Sequence, residues 1–241
     1  NICITVAEWL NLQLKTIDHF QNHTFMKKLE TLMAEKLLRI GAIQLQPEMP
    51  FTWASGWNSP IYTDNRKTLS YPDVRNFIKV ELSRLIFENF GEPDAIAGVA
   101  TGAIAQGALV SDTLGLPYVY VRSSPKDHGL ENLIEGNLIP GQKVVVIEDL
   151  ISTGGSSLKA VEAIRAAGCE VIGMVAIFTY GFPVAVSNFK KANVKLVTLS
   201  NYNALLEAAL ATDYIGEKDI ETLRQWREDP ANWVGPNAKN L

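Results

Sequence analysis

Apolar positions recur at helical spacing through Leu29, Leu32, Met33, Leu37 and Ile40, and Gly41 stands where such a helix would stop. Residues 42–63 lose that period and read as a short irregular or β segment. Pro72 then opens a second helical pattern through Val74, Phe77, Ile78, Leu82, Leu85 and Ile86, closed by Gly91. From there short apolar runs alternate with helical stretches. Asp94–Val99 is a run followed by an Ala-rich helix to about Leu114, and Pro117–Val121 is a second run. Lys143–Ile147 is a third, followed by a helix over about Ser156–Ala167 that ends at Gly168. Runs at 170–178 and 194–199 flank a helix near 184–191, and two further helices are predicted to finish the chain. Five-residue apolar runs separated by helices predict βαβ units: an α/β fold with a mostly parallel central sheet flanked by helices. Residues 122–137 are polar, contain glycine and show no period, so they are expected to be one long functional connection.

Composition narrows the class. The 241 residues, 47% apolar and 20% charged, suffice for one sizeable core. Lys and Arg total 22 against 26 Asp and Glu, a formal charge of −4, which argues against a broad nucleic-acid face. A local basic pocket for a phosphorylated metabolite needs only a few cations and is not excluded by that balance. No apolar run approaches the roughly 20 residues of a membrane span. Two cysteines, Cys3 and Cys169, make neither a disulfide framework nor a metal site, which fits a reducing cytoplasm. His19 and His23 stand four apart without further ligands, so no metal site is expected there. Residues 1–25 lack the basic start and apolar core of a secretory leader. Val6, Trp9, Leu10, Leu14 and Ile17 keep helical spacing and predict an accessory helix. The expected organisation is an N-terminal extension over 1–25 and a single domain over 26–241.

Ligands of open parallel sheets bind beyond the carboxyl ends of strands. After Val144–Ile147 come Glu148, Asp149, Leu150, Ile151, Ser152, Thr153, Gly154, Gly155 and Ser156: two adjacent acids, a turn of hydroxyls and glycines, then a helix. Glycines let backbone N–H groups converge, and a helix N-terminus adds positive partial charge, which suits a phosphate. The acids would suit sugar hydroxyls or a hydrated cation. The same composition is met equally by Ser156 and its neighbours capping a helix, with the acids in solvent. The pattern of a Walker loop is absent, and Gly98–Gly107 does not form a dinucleotide fingerprint.

The string Val-Val-Val-Ile-Glu-Asp-Leu-Ile-Ser-Thr-Gly-Gly-Ser, residues 144–156, resembles the phosphoribosyl pyrophosphate motif of the type I phosphoribosyltransferases. Residues 121–129, which include Lys126, Asp127, His128 and Gly129, resemble the mobile catalytic loop of the orotate phosphoribosyltransferase family, and residues 51–66 its orotate-binding segment. With Gly98–Gly102 as a pyrophosphate loop, the resemblance covers about residues 28–235. It implies the type I fold with a small N-terminal hood, and transfer of a phosphoribosyl group to orotate with Mg2+. It further implies a homodimer whose catalytic loop serves the neighbouring active site.

Carried onto this chain, the resemblance implies catalytic roles for Lys126, His128 and Arg122. Phosphoribosyl pyrophosphate is expected along residues 148–156, with Glu148 and Asp149 on the ribose hydroxyls and Thr153 to Ser156 cradling the 5-phosphate. Ala100, Thr101 and Gly102 are expected to meet pyrophosphate through backbone N–H groups. Orotate is expected at Ser152, Tyr62 and Arg66. The chain departs from some family members in having Ser123 and Ala54 where they carry Lys. Arg66 would then supply the missing cation, unless it is engaged in a surface ion pair with Asp64. Trp53 and Trp57 read as core or wall residues, and Trp226 and Trp233 as packing of the last helices. Two other readings share the acid–turn element: a purine phosphoribosyltransferase, and a non-catalytic regulator that senses phosphoribosyl pyrophosphate.

Overall fold

A computed structural model describes residues 26, 28–53, 56–124 and 133–235. The elements run α1 (28–39), β1 (Ile43–Leu45), β2 (Phe51–Thr52), β3 (Asn58–Ser59), β4 (Ile61–Thr63), a 3-10 turn (Asn65–Ser70), α2 (Pro72–Phe90), β5 (Ala95–Val99) and α3 (Ile104–Leu114). They continue with β6 (Tyr118–Val121), β7 (Ile134–Glu135), β8 (Lys143–Ile151), α4 (Gly155–Ala166), β9 (Glu170–Thr179), α5 (Pro183–Lys191), β10 (Leu196–Asn201), α6 (Tyr202–Ala211) and α7 (Glu217–Glu228). The expected accessory helix at 1–25 lies outside the described residues.

The main sheet has the order β10-β9-β8-β5-β6-β7, parallel throughout except for β7, which pairs antiparallel with β6. Its strands are apolar on both faces because both faces are covered. Val145 and Ile147 of β8 join one core with Ile78 and Leu82 of α2 and Leu205 of α6. Val144 and Val146 join the other with Val161 and Ile164 of α4 and Phe189 of α5. This alternation is the strand period of two expressed in packing. Helix α2 starts at Pro72, buries Val74, Ile78, Leu82, Leu85 and Ile86, and stops at Gly91, whose positive φ of +71° favours glycine. The irregular stretch 42–63 becomes two small antiparallel sheets, β1 with β4 and β2 with β3, which form a hood. Among the described residues, no helix is long and apolar enough to cross a membrane.

Two expectations need correction. Residues 122–137 contain a strand: β7 pairs Glu135 with Tyr120 and Ile134 with Val121. Strand β8 does not stop at Ile147. Its pairing with β5 ends at Gly98 opposite Ile147, but its pairing with β9 continues to Ile151 opposite Thr179. The chain visits β6 on one side of β5 and returns through β8 on the other. The strand order therefore reverses between β5 and β8, where a ligand crevice is expected in such sheets. The last four residues of β8, supported by β9 alone, edge that crevice.

Candidate active site

Glu148 and Asp149 lie on the overhanging end of β8, and the reading that left them in solvent is wrong. Glu148 is only 4% exposed. Its Oε2 accepts from the Ser157 hydroxyl at 2.7 Å and its Oε1 from the Asp149 N–H at 3.0 Å. Carboxylate oxygens retain further acceptor capacity beyond these single bonds. The Asp149 carbonyl accepts from Asn65 Nδ2 at 2.6 Å, which ties the hood segment to the strand. The Asp149 carboxylate sits against Gly102, where an added Cβ would fall on it. Burial pushes the Glu148 carboxyl well above its ordinary range, and the adjacent Asp149 adds to the shift. Burial also raises Asp149, against hydrogen bonds and the nearby Arg66 charge, which lower it.

The phosphate-type turn follows. Helix α4 begins at Gly155, its N-cap is Gly154, and no side chain caps it, so Ser156 lies in the first turn and is not a cap. Gly154 has φ +81°, and Phe189 of α5 occupies the space a Cβ would take, 2.7 Å from it. Asn188, also on α5, donates to the Thr153 carbonyl at 3.2 Å. Thr153, Gly155 and Ser156 are exposed at the helix N-terminus, where backbone N–H groups suit an anion.

Across the crevice, the Ala100–Thr101 peptide is cis. Ala100 N–H donates to the Val121 carbonyl at 2.8 Å. Of the three amides expected to face pyrophosphate, that of Ala100 is therefore engaged in the fold. Those of Thr101 and Gly102 make no backbone hydrogen bond among the described residues. A cleft of about 560 Å³ joins Ala100 and Arg122 to Gly155, Ser156 and Lys159. Lys159 was not anticipated; its place one turn into the helix after the glycine turn is the signal that could have found it. Arg122 pairs with Glu135 of β7 at 3.5 Å. Lys126 and His128 lie outside the described residues, as does Ala54.

A second pocket of about 340 Å³ adjoins the acids and is lined by Thr52, Trp53, Tyr62, Thr63, Leu150, Ser152 and Tyr180. Tyr62 and Ser152 thus line the same pocket. Leu150 lines this pocket. Ile151 is fully buried, and its carbonyl accepts from the Tyr180 N–H at 3.1 Å, so its side chain and carbonyl are not open to a ligand. Arg66 is not among the lining residues; its guanidinium forks onto Asp64 at 2.7 and 3.1 Å. That hydrogen bonding holds Asp64 below its usual range and Arg66 above its own. Trp53 forms a wall, its indole N–H donating to the Ile61 carbonyl at 3.0 Å and its ring stacked on Tyr180 with centroids 5.7 Å apart. Tyr180 was missed, although it immediately follows a strand, at the end where ligands gather.

The phosphoribosyl transferase domain model matches residues 78–217. The orotate phosphoribosyltransferase of Bacteroides thetaiotaomicron is 74% identical over 208 residues, 86% of this chain and 98% of that protein. Among solved structures, the orotate phosphoribosyltransferase of Aeropyrum pernix aligns with a TM-score of 0.67 at 28% identity, covering 76% of this chain and 99% of that one. The UMP synthase of Leishmania donovani aligns with a TM-score of 0.69 at 25% identity, covering 82% of this chain and 42% of that one.

Proposed function

The chain belongs to the phosphoribosyl transferase family and, within it, to the orotate phosphoribosyltransferases, and on that premise we propose how its residues divide the reaction. The enzyme transfers the 5-phosphoribosyl group of phosphoribosyl pyrophosphate to orotate, giving orotidine 5′-monophosphate and pyrophosphate in pyrimidine biosynthesis. The observation that carries the assignment of roles is the convergence of three features on one crevice: a buried acid pair, a helix N-terminus and an aromatic pocket.

In this reading the 5-phosphate sits on the turn from Thr153 to Ser156, held by backbone N–H groups and the α4 dipole. Asp149 and Glu148 accept from the ribose hydroxyls; the crevice offers their carboxyls few compensating charges, which a sugar diol tolerates. Pyrophosphate lies by Thr101 and Gly102, with Arg122 and Lys159 at the cleft supplying positive charge. Bond breaking at the anomeric carbon builds positive charge on the ribose and negative charge on the leaving pyrophosphate, so carboxylates on one side and cations on the other favour the transition state. Lys126 and His128 are assigned to the leaving group on the strength of the loop resemblance alone. Orotate occupies the pocket of Tyr62, Trp53, Tyr180 and Ser152, with Arg66 at its margin; for Arg66 to meet the carboxylate it must leave Asp64.

Among the described residues, no group of three or more His, Cys, Asp or Glu could hold a metal ion. The buried acid pair, its charge poorly compensated, fits a cation that arrives on the substrate and is met by Asp149 and Glu148. When bound, Mg2+ neutralises charge on the pyrophosphate. The unit that carries this site is assigned to residues 26–241, acting as a homodimer with shared active sites.

Tyr62→Ala tests the division of roles. An aromatic–base contact is worth about 1–3 kcal/mol, so the variant should raise the KM for orotate about tenfold and leave that for phosphoribosyl pyrophosphate unchanged. An unchanged orotate KM would remove the base from this pocket.

A further inference from the structure

The base pocket is built from residues outside the matched domain as well as inside it. Its hood residues, Thr52 to Thr63, precede residue 78, and the side chains behind its walls come from α7, beyond residue 217. Two neighbouring residues of α7 do this. Trp226 is fully buried, with its ring edge-on to both aromatic walls, 5.7 Å from Trp53 and 5.6 Å from Tyr180. Among the described residues its indole N–H has no hydrogen-bond partner, so what it contributes is ring packing.

Arg227 holds the backbone of the same wall. Its Nε donates to the Tyr180 carbonyl at 3.0 Å, one terminal nitrogen to the Gly181 carbonyl at 3.2 Å, and the other to Asn203 Oδ1 at 3.1 Å. The guanidinium also lies over the Tyr202 ring, 5.6 Å from its centroid. Gly181 is fitted to this clamp: it has φ +65°, and a Cβ there would lie 3.0 Å from an Arg227 terminal nitrogen. At its other end, Tyr180 is held by its hydroxyl, which donates to Thr63 Oγ1 at 3.0 Å. The wall residue is therefore fixed from the hood on one side and from α7 on the other. A planar guanidinium reaches two successive carbonyls and a side-chain amide at once, which an ammonium cannot.

We propose that Arg227 is a positioning residue for orotate: by clamping the Tyr180 and Gly181 carbonyls it sets the Tyr180 ring against the base, and it acts on base binding without acting on phosphoribosyl pyrophosphate. The inference rests on the reading of this pocket as the orotate site. Among the described residues, the hydrogen bonds of Arg227 go to Tyr180, Gly181 and Asn203 and none to the 5-phosphate turn or the acid pair, so its loss should separate the two substrates kinetically. A cavity of about 570 Å³ opens onto Arg227, lined also by Asn203 and Arg224, and gives a small guanidinium access to the place it would vacate.

The test is steady-state kinetics of both substrates on the full chain for Arg227→Ala, Arg227→Lys, Gly181→Ala and Tyr62→Ala. Arg227→Ala should raise the KM for orotate about tenfold, with the KM for phosphoribosyl pyrophosphate moving less than about twofold. Arg227→Lys should fall between it and the unaltered enzyme, and added ethylguanidinium should lower the orotate KM of Arg227→Ala. Gly181→Ala, which keeps the arginine but crowds it, should reproduce the split and decides the matter if Arg227→Ala does not fold. Orotate KM values within about twofold of the unaltered enzyme, or both KM values rising together, overturn the inference. Tyr62→Ala separates the two claims: its failure to weaken orotate overturns the pocket, whereas a weakened Tyr62→Ala beside an unaffected Arg227→Ala overturns the clamp alone.

Discussion

Glu148 and Asp149 carry a cost in stability at neutral pH. Carboxyls raised above their ordinary values of 4.5 and 3.8 leave the folded state binding more protons than the unfolded chain. Their contribution is therefore most favourable at low pH and is lost as the pH rises from about 4 towards their raised values. Glu148→Gln with Asp149→Asn should flatten that part of the profile. At pH 7 the double variant should melt a few degrees higher without ligand, about what 1 kcal/mol gives for a domain this size, while losing nearly all turnover. Calorimetry between pH 4.5 and 8 checks the sign; a lower melting temperature at pH 7 would contradict it. Gly102 is the second residue with no latitude, because a Cβ there meets the Asp149 carboxylate. Gly102→Ala should cost about a hundredfold in kcat/KM, in the range for a misplaced electrostatic group, with the fold retained by circular dichroism.

These residues were legible to different degrees. The acid pair and the glycine turn could be read directly because their chemistry is local to one string. Their burial could not: it depends on β9 continuing alongside β8 and on Ser157 turning back to Glu148. For Arg66 the competing partner, Asp64, stands two residues away, so the ion pair was visible as an alternative, but only geometry chooses between them.

At the scale of elements, α5 braces the glycine turn. Phe189 fills the space beside Gly154, and Asn188 holds the Thr153 carbonyl. Gly154→Ala must both adopt an unfavourable positive φ and displace the Phe189 ring, so it should cost at least about 1 kcal/mol of stability. It should also raise the KM for phosphoribosyl pyrophosphate about tenfold while sparing orotate. Adding Phe189→Ala should recover part of that binding loss; no recovery would place the fault in the backbone conformation alone. The helices and buried strands were readable because their periods of 3.6 and 2 repeat over several turns or pairs. Strand β7 was not, since two residues, Ile134 and Glu135, carry no period and gain their conformation from β6. The hood's strands are two or three residues long, so their pattern showed only an irregular or β segment, and the hood itself came from the family resemblance.

At the scale of the whole molecule, the reversal of strand order between β5 and β8 opens a crevice beyond the carboxyl ends of two central strands of the sheet. The mostly parallel sheet follows from the alternation of runs and helices, but the order of strands, and with it the crevice, is set by long-range packing that no local pattern contains. The net charge of −4 is compatible with a polyanionic substrate because Arg122 and Lys159 stand at the cleft, while the proposal puts the acids on the ribose side. If the active sites are shared across a dimer, mixing Lys126→Ala subunits with Asp149→Asn subunits should restore activity to about a quarter of the unaltered enzyme, because half the dimers are mixed and each has one intact site. No recovery in the mixture would count against sharing. The central claim is tested most directly by following orotate consumption with phosphoribosyl pyrophosphate and Mg2+, with purine bases as controls. Orotate should disappear in step with pyrophosphate release, the purines should remain, and Asp149→Asn should abolish the signal; no turnover of orotate, or turnover of a purine in its place, would contradict the account.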